Sequence, residues 1–446
     1  VLKTFAKGGT HPPDYKLTAG KEIKILEAQG SVTIPLSQHL GSPAVPVINK
    51  GDKVLVGQII AKASATISAN IHSSVSGTVN KIEIVPDGSG FKALSVVIDV
   101  SGDEWIGSVD RSPSVVQEIR YSPEEIIDKC FQAGIVGMGG ASFPTHIKLN
   151  IPPGKKCDLL IINGVECEPY LTADHRLMLE KGEQIMTGIR IMMKALRVTR
   201  AIIGIENNKP DAIAKLESLC NGSDELSVQA LKVKYPQGGE KQLIKATTGR
   251  EVPSGGLPVD IGVMVQNVAT AFAIYEAVIK NKPLFERIVT ITGPNLKNPG
   301  NFLVRIGTPV SALIEAAGGL PDDTGKIVNG GPMMGKSLCN TSVAVVKGTS
   351  GIVVLPSAES VRAEAGPCIR CGKCLSVCAL CLEPMLLAVL SEKGMFDRAE
   401  KEKITDCCEC GSCSFICPAS RPLLDYIRLG KTNVNRMIRE RNSKQS

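Results

Sequence analysis

Aromatic side chains are scarce in this sequence: Phe, Trp and Tyr together make 4% of 446 residues, with a single Trp. Proteins that bind single-stranded nucleic acid interleave such rings with basic runs. No run of that kind occurs, so no nucleic acid is expected, and the excess of 51 Lys and Arg over 44 Asp and Glu is read as a diffuse preference for an acidic partner surface. Long apolar runs are missing too. The stretches Ile261–Ile279 and Val343–Leu355 are interrupted by Gln266, Asn267, Glu276 and Lys347, short of the ~20 apolar residues that a spanning helix needs. The opening VLKTFAKGGTHPPDYK lacks the apolar core of a secretory leader. These absences predict a chain with no direct membrane span, soluble or held at a membrane by a partner. Its length exceeds the ~250–300 residues at which one core stops growing, so several domains are expected.

Cysteine is the residue in excess, and ten of the 15 lie between Cys368 and Cys417. A disulfide-rich secreted protein would be small and would spread them throughout, so the crowding points to metal in a reducing compartment. The first run is Cys368-x2-Cys371-x2-Cys374-x3-Cys378 and the second Cys407-x2-Cys410-x2-Cys413-x3-Cys417-Pro418, the spacing of bacterial ferredoxins with two [4Fe–4S] clusters. In that pattern the fourth cysteine of each run serves the other cluster. Cys368, Cys371, Cys374 and Cys417 are therefore expected on one cluster, and Cys407, Cys410, Cys413 and Cys378 on the other. Zinc is the alternative for either half alone, but not for both in this arrangement. Ala379 stands where the first run should have proline, and Cys381 and Cys408 are surplus thiols, either able to replace a neighbouring ligand. Cys130, Cys157, Cys167, Cys220 and Cys339 read as ordinary buried cysteines.

The segment up to residue 100 alternates β-branched residues with Gly-Asp and Ser-Gly turns, as an all-β unit does. Its halves GDKVLVGQIIA and HSSVSGTVNKI resemble a biotinyl/lipoyl-carrier, or barrel-sandwich hybrid, domain. In that family the hairpin tip carries a modified lysine; here Thr66 occupies the tip, so a docking role is implied rather than a swinging arm. Next, Ser122-Pro123-Glu124-Glu125 forms a capping box with proline at the first helical position. Beyond it strands and long helices alternate, CDLLIINGVE, a helix over 174–196, RAIIGIE, PDAIAKLESLC, SVQALKVK and a helix over 267–281, which predicts a parallel, Rossmann-like α/β sheet. Ligands of such sheets sit beyond the carboxyl ends of the strands. The stretch 287–335 reads as strand, turn, strand, helix and Gly-Gly stop.

Four stretches at turns of the α/β unit carry chemistry. Gly137-Met-Gly139-Gly140-Ala141-Ser-Phe143 does not scan as G-x-G-x-x-G, yet close glycines let backbone N–H groups approach a phosphate or ring edge, and Lys148 follows. Asn163-Gly-Val-Glu166-Cys-Glu168 ends the first strand, Tyr235-Pro-Gln-Gly238-Gly239-Glu240 opens a helix, and Asn267-Val-Ala-Thr270 opens another with Asn267 as its cap.

In this order the four stretches resemble the flavin-bearing subunit of respiratory complex I, whose pattern runs G-R-G-G-A-G-F-P-T-G-x-K, N-x-D-E-x-E-P, Y-x-x-G-E-E and N-N-V-E-T. The resemblance implies FMN on Gly137, Gly139, Gly140, Ala141 and Lys148, with Asn163, Glu166, Tyr235, Gly238, Asn267 and Thr270 around it. It also implies NAD(H) on the side of Phe143, Glu168 and Glu240. Met138, Val165, Gly239 and Gln266 depart from the pattern, Gly239 within the cofactor loop itself. The stretch 287–335 resembles the soluble-ligand-binding β-grasp (SLBB) domain of that family. Together with TFAKGGTHPPDYK, IPLSQHLGSPAVPVINKGDKV and IHSSVSGTV, the whole chain resembles the RnfC proteins of Rnf complexes, ion-translocating ferredoxin:NAD oxidoreductases. The expected fold is multidomain α/β + β: barrel-sandwich hybrid at 1–110, Rossmann-like FMN/NAD domain at 120–284, SLBB β-grasp at 285–356, helical two-[4Fe–4S] ferredoxin domain at 360–430 and a basic tail at 431–446. The resemblance implies a peripheral subunit on the cytoplasmic membrane face that exchanges hydride between NAD(H) and FMN. Single electrons would pass through the clusters to the iron–sulfur and membrane subunits. A soluble flavin/iron–sulfur cobalamin reductase of similar build and a non-catalytic relay scaffold are the alternatives.

Overall fold

The computed structural model describes residues 2–88, 90–220, 222 and 224–443. In chain order, β1 (Ile23–Leu26) precedes the barrel strands β2 (Ser31–Pro35), β3 (Val45–Pro46), β4 (Lys53–Val54), β5 (Ile59–Lys62), β6 (Ile71–His72), β7 (Gly77–Pro86) and β8 (Lys92–Val100). These form two small sheets, ordered β2-β8-β7-β4 and β3-β5-β6, closed over Val32, Ile34, Ile60, Ile71, Val96 and Ile98. Thr66 is exposed in the connection between β5 and β6.

The α/β unit runs α1 (Pro123–Gln132), α2 (Thr145–Leu149), β9 (Leu159–Asn163), α3 (Ala173–Glu180), α4 (Gly182–Leu196), β10 (Ala201–Glu206), α5 (Pro210–Cys220), β11 (Leu226–Leu231), α6 (Glu240–Thr248), β12 (Val263–Asn267) and α7 (Val268–Ile279). Its sheet is fully parallel, in the order β11-β10-β9-β12. The capping box forms as the sequence predicts, with Glu125 N donating to Ser122 Oγ and Ser122 N to the Glu125 carboxylate. The helix expected over 174–196 is two helices: Lys181 leaves helical geometry at φ −127°. Gly182 follows it, where a Cβ would lie 2.9 Å from the Leu219 side chain. α4 and α7 lie over the sheet and bury Ile185, Ile189, Met192, Ala271 and Ile274, each large side chain contributing ~1.5–3 kcal/mol relative to exposure. The interrupted apolar stretches are thus core strands and helices, and among the described residues no helix is long and apolar enough to cross a membrane.

Then come β13 (Glu286–Thr292), β14 (Gly300–Arg305), α8 (Val310–Ala316), β15 (Thr324–Asn329), β16 (Lys336–Ser337) and β17 (Gly351–Pro356). Their sheet has six strands, and its edge is β1, paired parallel to β14. Residues 23–26, which sequence reading assigned to the first unit, thus belong to the third sheet; a four-residue strand carries too little pattern to show its partner. Helices α9 (Ser357–Ser360), α10 (Lys373–Ser376), α11 (Pro384–Glu392), α12 (Phe396–Lys401), α13 (Ser412–Phe415) and α14 (Leu423–Ser443) complete the chain. The segment read as a basic solvated tail continues α14 as far as Ser443, with Val434 fully buried against Leu387, Leu390 and Ile404. Residues 444–446 lie outside the described residues.

Candidate functional site

Loops at the carboxyl ends of β9 and β12, and the one leading into α6, meet the glycine-rich loop. Val136 and Pro144 form a bridge and Gly137 N donates to Phe143 O at 2.9 Å, closing residues 137–143 into a projecting loop. Its base is pinned twice: Met138 N donates to Thr270 Oγ1 and Met138 O accepts from Arg287 Nη2, both at 3.0 Å. A Cβ on Gly139 would stand 2.6 Å from Asn267 Nδ2, whereas one on Gly140 would meet nothing within 4 Å. Gly139, Gly140 and Ala141 are exposed and Phe143 is half-buried, leaving backbone N–H groups free to face a ligand.

Asn267 joins the loops. Its Oδ1 caps α7 through Ala269 N at 2.7 Å, and its Nδ2 donates to Asp174 Oδ2 at 2.7 Å and to Asn163 O at 3.3 Å. Asn163 Nδ2 reaches Gly238 O at 2.8 Å. Glu166 holds a left-handed backbone conformation (φ 49°), and its carboxylate accepts from Asp174 N and His175 N in the first turn of α3. Lys148 Nζ pairs with Glu240 Oε1 at 2.8 Å and Val265 O at 3.2 Å. Gly239 precedes α6, where a Cβ would crowd the Gln242 side chain at 2.3 Å.

Two expected residues turn elsewhere. The Glu168 carboxylate accepts from Met333 N and Met334 N at 3.1 and 2.8 Å and from Tyr235 OH at 3.2 Å. Burial raises its pKa to about 7 despite those donors. Tyr235 OH also reaches Cys410 O at 2.8 Å. These two side chains therefore tie the α/β unit to the third sheet's Gly-rich turn and to the second cysteine run.

Sequence reasoning missed four residues beneath these loops. Lys16 Nζ donates to the carbonyls of Glu166, Glu168 and Leu171 at 2.6–2.9 Å. Burial, aided by Lys209, lowers its pKa to about 8. Lys209, 1% exposed at its side chain, donates to Val165 O at 2.7 Å. Asp174 is pushed up to about 6 by burial and by Glu166, with Arg287 opposing. The one available signal was a charged residue, Arg287, in the otherwise apolar strand RIVTIT; Lys16 lay in a motif noted only for resemblance.

Two buried polar atoms on elements framing the loops, Thr145 Oγ1 and Gln266 Nε2, lack a hydrogen-bond partner among the described residues. Such atoms are normally satisfied, and they fit a site that takes a polar ligand.

The two cysteine runs differ in burial. Cys378, from the first run, lines one apolar cavity with Cys407, Cys408, Cys410, Cys413, Leu387 and Ile427. Burial, with the neighbouring thiols adding, raises Cys407 to about 11 and Cys413 to about 12. Hydrogen bonding from Cys408 lowers Cys410 to about 6. Thiols held neutral by burial and mutual repulsion become thiolates when a cationic metal core sits among them, so this donor set fits a cluster. Cys374 and Cys417 are half-buried and electrostatically coupled, while Cys368 and Cys371 are exposed. Among the described residues no three His, Cys, Asp or Glu side chains converge as a single ion requires. Of the cysteines read as ordinary core, Cys130 and Cys220 are buried, Cys157 and Cys167 half-buried and Cys339 exposed; Cys167 Sγ accepts from Gly238 N at 3.3 Å.

Residues 3–103 match the RnfC barrel-sandwich hybrid domain, 130–276 the Nuo51 FMN-binding domain and 288–337 the SLBB domain. Over 444 residues the sequence is 45% identical to the RnfC-type component of the proton-translocating ferredoxin:NAD(+) oxidoreductase complex of Clostridium ljungdahlii, covering 99% of this chain and 96% of that one. The chain belongs to the RnfC family of ion-translocating ferredoxin:NAD oxidoreductase complexes. Another member, the corresponding component of the Na(+)-translocating complex of Acetobacterium woodii, is 44% identical over 96% of both chains. An NAD+-reducing [NiFe]-hydrogenase chain in the H2-reduced state superposes with a TM-score of 0.49 at 18% identity, covering 70% of this chain and 62% of that one, too loosely to carry an argument. The family match makes the barrel-sandwich, FMN-binding and SLBB units parts of an oxidoreductase complex.

Proposed function

We propose that this chain is the peripheral electron-entry and exit subunit of a membrane ion-translocating ferredoxin:NAD oxidoreductase, on its cytoplasmic face. It would exchange a hydride between NAD(H) and non-covalent FMN, and single electrons through two [4Fe–4S] clusters with iron–sulfur and membrane subunits. The observation that carries this reading is the hydrogen bond from Tyr235 OH to Cys410 O, where a loop expected at the flavin touches a loop expected at a cluster. FMN, when bound, supplies the conversion between a hydride's electron pair and the single electrons that clusters accept.

The chain's own part is binding and orientation. The N–H groups of Gly137, Gly139, Gly140 and Ala141 would meet the flavin phosphate or ring edge, with Lys148 neutralising phosphate charge. Asn163, Glu166, Gly238, Asn267 and Thr270 would fix the loop walls, and Phe143 and Glu240 flank the nucleotide side. The quartet Cys378, Cys407, Cys410 and Cys413 lies innermost and would exchange electrons with the flavin. The quartet Cys368, Cys371, Cys374 and Cys417, with two exposed members, faces outward to a partner. An anaerobic titration of the cluster-reconstituted chain with NADH, following flavin and iron–sulfur absorbance together, tests this. Flavin bleaching followed by cluster bleaching is expected; iron–sulfur absorbance with no bound flavin would overturn the reading in favour of a relay scaffold.

A further inference from the structure

The N-terminal stretch containing Lys-Gly-Gly-Thr-His-Pro-Pro has no role in the function just described. In the structure it is a strap running between the α/β unit and the cysteine-bearing helices. Lys3 bridges to Leu231 at the sheet edge, and Thr4 Oγ1 donates to Gln237 Oε1 at 2.7 Å. Phe5 is buried beneath Lys234, whose Nζ lies 4.1 Å from the ring centroid. Thr10 and Tyr235 exchange both backbone hydrogen bonds, at 2.8 and 2.9 Å. On its other side the strap touches both cysteine runs: Gly9 N donates to Val377 O at 2.8 Å, and Thr10 Oγ1 lies 3.4 Å from Ser412 Oγ.

The crossing is possible only with glycine. Gly8 has φ 71°, and a Cβ there would fall 2.5 Å from the Cys378 carbonyl carbon and oxygen and 2.6 Å from Ala379 N. Gly9 has φ 90°, and its Cβ would fall 2.9 Å from Tyr235 O. Both conformations disfavour any L side chain, and the atoms in the way at Gly8 are backbone, which cannot swing aside. From the far side, Gln242 Nε2 of α6 donates to Ala379 O at 3.3 Å. The peptide following Cys378 is thus held between the strap and the α/β unit.

We propose that Gly8 and Gly9 are positioning residues: through them the strap clamps the Cys378 loop at a fixed separation from the flavin-binding unit and so sets the rate at which one electron leaves the reduced flavin and enters the inner cluster. This rests on the function proposed above. The test uses the full chain with flavin and clusters reconstituted, comparing Gly8→Ala and Thr10→Val with Gly20→Ala, a position where a Cβ meets nothing within 4 Å. Flavin and iron content, the rates of flavin and then cluster bleaching after rapid mixing with NADH, cluster midpoint potentials and amide exchange at residues 377–381 are read for each.

In Gly8→Ala, flavin reduction is expected to stay at its original rate while cluster bleaching slows roughly ten- to hundred-fold, the penalty for misplacement by about 1 Å. Amide exchange at 377–381 rises, and Gly20→Ala changes nothing. Cluster bleaching and exchange in Gly8→Ala equal to the unaltered chain would overturn the proposal. Should Gly8→Ala fail to retain iron, Thr10→Val decides: slower cluster bleaching with unchanged flavin reduction supports the strap, and unchanged kinetics overturn it. If the unaltered chain binds no flavin or never bleaches with NADH, the functional reading itself fails, an outcome distinct from any difference among the variants.

Discussion

The two cysteine runs are copies of one backbone placed in opposite surroundings. Every landmark recurs at an offset of 39 residues, from Cys368, Cys371, Cys374 and Cys378 to Cys407, Cys410, Cys413 and Cys417. Left-handed residues recur with them: Arg370 and Glu409 at φ 56° and 58°, Gly372 and Gly411 at 72° and 79°, Cys381 and Ser420 at 55° and 50°. So do the short helices α10 and α13 and the starts of α11 and α14. Burial does not recur. α10 has no buried residue and Cys368 and Cys371 are exposed, whereas Ser412 and Cys413 of α13 are buried. The second run is gripped by Tyr235 at Cys410 O, by Arg428 and Lys431 at Glu409, and by Gly255 N at Asp406. Spacing therefore specifies the loop, and neighbours specify which loop lies innermost.

Breaking the pair at equivalent positions is expected to have the largest effect. Cys410→Ser should abolish NADH-driven bleaching of both clusters, whereas Cys371→Ser should leave the inner cluster reducible; iron content and low-temperature EPR after NADH addition read the difference. Equal loss from the two would show that inner and outer quartets are not in series. Next in size, Tyr235→Phe removes the hydroxyl shared by Cys410 O and Glu168. Leaving buried acceptors unpaired should destabilise the chain by about 1–3 kcal/mol in denaturant unfolding, with no counterpart from Tyr426→Phe on the same cysteine-bearing unit.

A smaller effect sharpens the contrast through pH. Glu168 is raised by burial to about 7 from an ordinary 4.5, so the folded chain binds this proton more tightly than the unfolded one. Its contribution to stability is greatest below the unfolded value and falls as pH climbs through that window, where burying the charge becomes unfavourable. The loss of melting temperature between about pH 5 and about pH 8 should therefore shrink in Glu168→Gln; an identical loss would remove Glu168 as its source. The smallest effect is expected at Cys381. Its amide closes a turn on Cys378 O at 3.1 Å just as Ser420 does on Cys417 O, so Cys381→Ser should retain full iron content and change stability by less than about 0.5 kcal/mol. Loss of iron would make Cys381 a ligand.

The site was legible in the sequence where chemistry is carried by local spacing. The glycine loop, the Asn267 cap and the cysteine runs each lie within a few residues, and their backbone geometry follows from residue type. The parallel sheet was legible for the same reason, since alternating strands and helices are a local pattern. Lys16, Lys209, Asp174 and Arg287 were not, because each acts on a loop that the fold brings to it from a distance in the chain. Arg287 comes from the first strand of the β-grasp sheet to hold Met138 O, and Lys16 comes from the strap to hold Glu166, Glu168 and Leu171.

By itself the sequence determined the cysteine loops, the order of the units and the α/β character of the flavin-binding unit, because thiol spacing, capping and apolar periodicity act over a few bonds. Only the tertiary structure decided that Ile23–Leu26 completes a distant sheet, that the tail continues a packed helix, and that Cys378 joins Cys407, Cys410 and Cys413 beside Tyr235. Those outcomes depend on which surfaces exclude water together and which buried carbonyls find a donor, and neither is written in any short stretch of chain.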